Sequence, residues 1–177
     1  MKTMLFVALL AAGSAHAADA KIETDAFDGA TRVWVDPHGL DCGAQMVCPL
    51  LGARWTSGRK DEAVLQVEVV NAYAGIRGAA LNVGGEIIEL VPLDEGAATR
   101  FTSNVQTAAG APVSRRSSRD YLVPLALVRK IADAPSVKVR VYTAEGTVDG
   151  TLAGGKKPAK AYGALQRFVA KVATTGA

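Results

Sequence analysis

Between Val137 and Tyr142 every second residue is apolar. Val137, Val139 and Val141 point one way and Lys138, Arg140 and Tyr142 the other, which is the period of a strand with one face buried. A turn around Ala144, Glu145 and Gly146 returns the chain. Setting Val141 opposite Val148 keeps the apolar face intact and places Arg140 opposite Asp149, whereas a slip of one residue would bury a charge. Just before this hairpin the period lengthens to that of a helix: Pro124, Leu127, Val128 and Ile131 form one stripe, with Arg129, Lys130 and Asp133 on the other side. Proline sets both ends. Pro124 suits a first turn, where its missing N–H would lack a partner, and Pro135 forbids continuation past Asp133 and Ala134.

Upstream, Ala18 to Gly29 is polar and acidic and predicts an extended lead-in. Ala30 to Asp36 follows as a first strand whose buried face is left open, Thr31, Val33 and Val35 alternating with Arg32, Trp34 and Asp36. Pro37, Gly39 and Gly43 predict a loop, and Leu51 to Trp55 a second short strand. Leu65, Val67 and Val69 mark a half-buried strand. Gly84 and Gly85 then predict a tight hairpin that sets Leu81 opposite Ile88 and Ala79 opposite Leu90. Ala98 to Gln106 carries Phe101, Ser103 and Val105 as inward candidates, and Ser114 to Val123 is extended chain leading into the central helix. Ala161, Leu165, Phe168, Val169 and Val172 share one face of a closing helix, with Lys160, Arg167 and Lys171 opposite. The expected fold is α+β: a largely antiparallel sheet of about six to eight strands with two short helices on one face.

The N-terminus changes the setting. One Lys, an apolar run from Met4 to Ala12, and Ala15 and Ala17 where a signal peptidase prefers small residues predict a signal peptide over residues 1–17 and a single domain over 18–177. The expected address is the bacterial periplasm or the medium outside. The apolar run is too short to span a bilayer and no later segment is apolar enough, so no transmembrane segment is expected in the mature chain. In an oxidising compartment the only two cysteines, Cys42 and Cys48, predict a disulfide closing a small loop. They lack the CxxC spacing of a redox pair and further ligands for a metal. Charge is divided along the chain: residues 18–113 carry seven Lys or Arg against thirteen Asp or Glu, and residues 114–177 carry twelve against four. The two halves should therefore attract each other within the fold or present two faces of opposite sign.

Candidate chemistry is sparse. Outside the leader His38 is the only histidine, so a Ser/His/Asp arrangement would have to use it, and no G-x-S-x-G elbow accompanies it. With Asp36 and Asp41 it makes a candidate loop site, read first as a turn bonded to its own neighbours. The ligand density is low for a metal, and none is assigned. No phosphate-loop, dinucleotide, EF-hand or HExxH motif occurs, and no cofactor is expected. The densest basic cluster, Arg115, Arg116 and Arg119, is the leading candidate for partner binding. Guanidinium groups clamp carboxylates and phosphates, which suits an acidic envelope protein, a glycan carboxylate or a lipid phosphate. The competing reading is that these charges keep an exposed strand from pairing with other chains. Nucleic acid is disfavoured by the compartment and by the lack of aromatics among the arginines. Trp34 and Trp55 flank the cysteine segment and, with Tyr73, either fill the core or form an exposed patch. The expectation is an exported, non-enzymatic binding protein that recognises an acidic partner through arginines. Two alternatives stand beside it: an inhibitor or immunity protein of an envelope-acting enzyme, and a small envelope hydrolase using His38.

Overall fold

A computed structural model describes residues 19–70, 74–94, 99–104 and 114–175. The predicted signal peptide, Tyr73 and Val105 lie outside the described residues. In chain order the elements are β1 (Lys21–Thr24), β2 (Thr31–Gly39), β3 (Cys48–Thr56), β4 (Glu62–Val70), β5 (Ile76–Val83), β6 (Glu86–Glu89), β7 (Val91–Pro92), β8 (Arg100–Asn104), β9 (Ser114–Pro124), α1 (Leu125–Asp133), β10 (Val137–Thr143), β11 (Gly146–Ala153) and α2 (Lys160–Thr174). The class is α+β, as the alternation predicts, but the strands are more numerous than expected and form two antiparallel sheets. The larger runs β1-β2-β3-β4-β9-β7, with β8 also on β9, and the smaller runs β11-β10-β5-β6. Both sheets pair the acidic half of the chain with the basic half, through β4 with β9 and β5 with β10.

Alternation decides which residues the sheets bury. Leu65, Val67 and Val69 of β4, Val33 and Val35 of β2, and Val137, Val139 and Val141 of β10 are all buried. They join buried residues of α1 and α2 in one hydrophobic cluster. The predicted hairpin registers hold, with Val141 opposite Val148, Arg140 opposite Asp149 and Leu81 opposite Ile88. Helix α1 begins one residue later than the pattern suggested: Pro124 ends β9 and is exposed, and Leu125, Val128, Ile131 and Ala132 are buried. Helix α2 packs on α1 and along β2 and β3. Its Tyr162 Oη and Gln166 Nε2 donate to the carbonyls of Ala134 and Ala132, each at 3.1 Å. These bonds satisfy carbonyls that the end of α1 leaves without an intrahelical partner.

Three local expectations change. The acidic lead-in is structured, because Lys21–Thr24 pairs with Thr31–Trp34 and adds a strand to the sheet edge. Phe101 pairs with Ser117 and so shares the core-facing side, yet it is 54% exposed and outside the hydrophobic cluster, since β8 lies at the margin of the sheet with β9 as its strand partner. The residues after Asp36 do not leave the sheet: β2 bulges between Val35 and His38, and His38 then pairs with Leu51. Gly52 makes that bulge possible. A Cβ there would lie 2.8 Å from the Pro37 nitrogen and 2.9 Å from the Val35 carbonyl oxygen, closer than non-bonded atoms approach.

The Cys42–Cys48 disulfide is formed, and its loop lies against the second sheet. Asp41 and Thr151 exchange backbone hydrogen bonds at 2.9 and 2.8 Å. A Cβ on Gly150 would meet the Leu40 side chain at 2.8 Å, so glycine lets this segment approach β11. Among the described residues, no helix is long and apolar enough to cross a membrane.

Candidate functional site

The sequence cluster at 114–119 lies on β9, where alternation divides its arginines between two faces. Ser117 and Tyr121 are fully buried and share the core-facing side with Arg119, whereas Arg116, Ser118 and Asp120 face the other way. Arg119 Nη1 donates to the carbonyls of Ile76 and Arg77 at 2.9 and 3.0 Å. Ser117 Oγ accepts from Ala74 N–H at 2.9 Å. These two residues tie the larger sheet to the start of β5 and hence to the smaller sheet. Arg115 is exposed and is on the side of β9 opposite to Arg116. The three arginines therefore do not form one patch.

A different set of arginines does converge. On the outer face of the larger sheet, the Asp120 carboxylate accepts from Arg54 Nη2 and from Arg100 Nη2, the latter at 2.9 Å. Beside it, Glu68 accepts from Arg116 Nη1 at 3.3 Å and from Gln66 Nε2 at 3.1 Å. Exposure within these pairs is one-sided. The Asp120 and Glu68 side chains are 7% and 10% exposed, but those of Arg54, Arg100 and Arg116 are 47%, 56% and 45% exposed. The carboxylates are beneath and the guanidiniums above, so the charge offered to solvent is positive. Burial raises the Glu68 pKa above the ordinary carboxylate value, and the nearby Arg116 opposes that rise. Each arginine keeps donors beyond those bound to its carboxylate, already oriented toward whatever approaches.

The same face holds a groove of about 550 Å³, lined among others by Trp34, Arg32, Arg54, Val64, Gln66 and Leu122. Trp34 is half-buried, with Lys21 Nζ 6.0 Å from its ring centroid. Trp55, one position over on β3, points inward, is 4% exposed and donates from Nε1 to the Lys60 carbonyl at 3.1 Å. The two tryptophans thus divide the roles between which the sequence left a choice. At the tip of the β1–β2 hairpin Phe27 is fully exposed, on a turn held by bonds from Phe27 N–H to Asp25 Oδ1 and from Ala30 N–H to Asp28 Oδ1, both 2.8 Å.

His38 and Asp41 do not meet. The bulge turns His38 toward the helix side, half-buried, where burial depresses its pKa. Asp36 opposes that shift, while Arg167, Lys160 and Lys21 reinforce it. The Asp41 carboxylate instead accepts from Gly43 N–H at 3.1 Å within the disulfide loop. Among the described residues, no group of three His, Cys, Asp or Glu side chains is placed to hold a metal ion.

The outer-face site was missed because its members are scattered over β2, β3, β4, β8 and β9. The available signal was the polar half of each alternating strand: Arg32 and Trp34 in one, Gln66 and Glu68 in another, Arg116 and Asp120 in a third. No protein-family model matches this chain, and no match is found among curated proteins or solved structures.

Proposed function

We propose that this is an exported, non-enzymatic binding protein that recognises an acidic partner with the outer face of its larger sheet. The observation that carries the reading is the layering of charge, with Arg54, Arg100 and Arg116 solvent-facing over the buried Asp120 and Glu68. Guanidiniums fixed from below lose little side-chain freedom when they bind a second oxyanion, which is what a recognition surface requires. Export is supported by the leader-like N-terminus and by the disulfide. Of the cluster first singled out, only Arg116 belongs to this face. Arg119 serves the packing of the two sheets.

The test is salt elution from immobilised poly-glutamate. The variant Glu68→Gln/Arg100→Gln/Arg116→Gln leaves Arg54 to pair with Asp120 and lowers the net charge by one. Lys156→Gln lowers it equally at an exposed position far along the chain. The first variant is expected to elute at clearly lower salt than the wild type, with Lys156→Gln close to the wild type. Equal shifts for both would mean that net charge alone governs retention, and the reading would fail.

A further inference from the structure

Strand register places one continuous row across the outer face. Lys21 pairs with Trp34, Trp34 with Arg54, Arg54 with Val64, Val64 with Leu122, and Leu122 with Val91. Directly paired residues share a face, so these six side chains form a line over six strands, about 24 Å long at the usual strand spacing. Trp34, Val64 and Leu122 are half-buried, Val91 is 62% exposed, and Leu93 just beyond it is 42% exposed. The stems of Lys21 and Arg54 add aliphatic surface between their charged heads and the sheet. One bank is basic, with Arg100 and Arg116, and the other is mixed: Arg32 and Arg59 lie there beside Glu23 and Glu62, Arg32 pairing with Asp25 and Arg59 with Glu62.

Resting on the function proposed above, we infer that the acidic partner is a polypeptide whose apolar side chains lie along this row and whose carboxylates reach Arg54, Arg100 and Arg116. The chemistry favours this occupant over an anionic polysaccharide. An anionic polysaccharide would lay hydroxyl groups on Val64, Leu122 and Val91, which offer them neither donor nor acceptor and would leave them desolvated. A protein segment supplies an apolar centre and an acidic rim together, and Trp and Arg are the residues that most often carry such contacts.

The experiment pans a displayed random-peptide library against the full, disulfide-bonded chain and measures the enriched peptides by fluorescence anisotropy. The expected peptides interleave Asp or Glu with apolar residues. Trp34→Ser and Val91→Ser should each weaken them about fivefold or more, while Ile87→Ser, at an exposed apolar position on the other sheet, should leave binding unchanged. Val91 is exposed and Trp34 half-buried, so thermal unfolding serves as the check that both variants fold. Peptides that bind the row variants as well as the wild type, an empty selection, or tight Trp34-dependent binding of a sulfated dextran would each overturn the polypeptide assignment. If the row variants bind normally while the Arg100 and Arg116 variant loses poly-glutamate, the inference falls and the proposed function stands. If neither responds, both fall.

Discussion

Tyr121 and Arg119 are neighbours on the buried side of β9, and each has a polar atom with no hydrogen-bond partner among the described residues: the Tyr121 hydroxyl and Arg119 Nε. Burial pushes the Tyr121 pKa up to about 12, so the hydroxyl stays neutral. A buried hydroxyl with no protein partner contributes packing and little else, and Tyr121→Phe should change stability by less than about 1 kcal/mol, or raise it, in urea denaturation. His38 makes a pH-dependent contribution. Its folded pKa lies below the ordinary 6.5, so the unfolded chain binds that proton more readily. The resulting penalty is complete below the folded value, shrinks as pH rises, and is gone above 6.5. Stability should therefore rise with pH through this window, and His38→Gln should flatten that rise in urea midpoints measured across it. Burial sets the direction of both shifts, and residue type alone gave no hint of either.

The elements were legible where one face is buried and the other solvated. The β10–β11 hairpin was read down to its pairing because any other register would bury Arg140 or expose Val141. In the structure Arg140 binds Asp149 through two bonds of 2.8 Å. The end of β2 was misread as loop because Pro37 and Gly39 are turn residues, and the deciding partner is on another strand. Gly52 gives the bulge its space, and only the pairing of β2 with β3 shows that Gly52 stands opposite Asp36 and Pro37. Gly52→Ala should cost about 1–3 kcal/mol, as overpacking does. The thermal midpoint should fall, whereas Gly58→Ala, with nothing within 4 Å of its Cβ position, should leave it nearly unchanged.

The whole molecule is two sheets joined by a few specific contacts as well as by a common core. Arg119 donates to Ile76 and Arg77, Ser117 accepts from Ala74, and the disulfide segment bridges Asp41 to Thr151. Replacing Arg119 by Met keeps the aliphatic stem but strands two carbonyl contacts between the sheets. This should lower stability by about 1–3 kcal/mol in urea unfolding, with a single transition retained because the apolar cluster spans both sheets. Unchanged stability would show that Arg119 is not the tie its geometry describes. The attraction between the acidic and basic halves also resolves at this scale, in cross-half ion pairs such as Glu68 with Arg116 and Glu86 with Lys130.

What the sequence determined by itself was local: most of the longer strands, both helices, the registers of the β5–β6 and β10–β11 hairpins, and that Cys42 and Cys48 pair. Those follow from periodicity and short-range sterics, which are written in consecutive residues. The tertiary structure alone decided that there are two sheets and not one, and that the cluster from Arg115 to Arg119 is split between a packing face and an open one. It also brought Arg54, Arg100 and Arg116 together over buried carboxylates. A surface assembled from five strands depends on the order in which those strands pair. That order is fixed by how the strands and helices jointly bury apolar area, a property of no single segment.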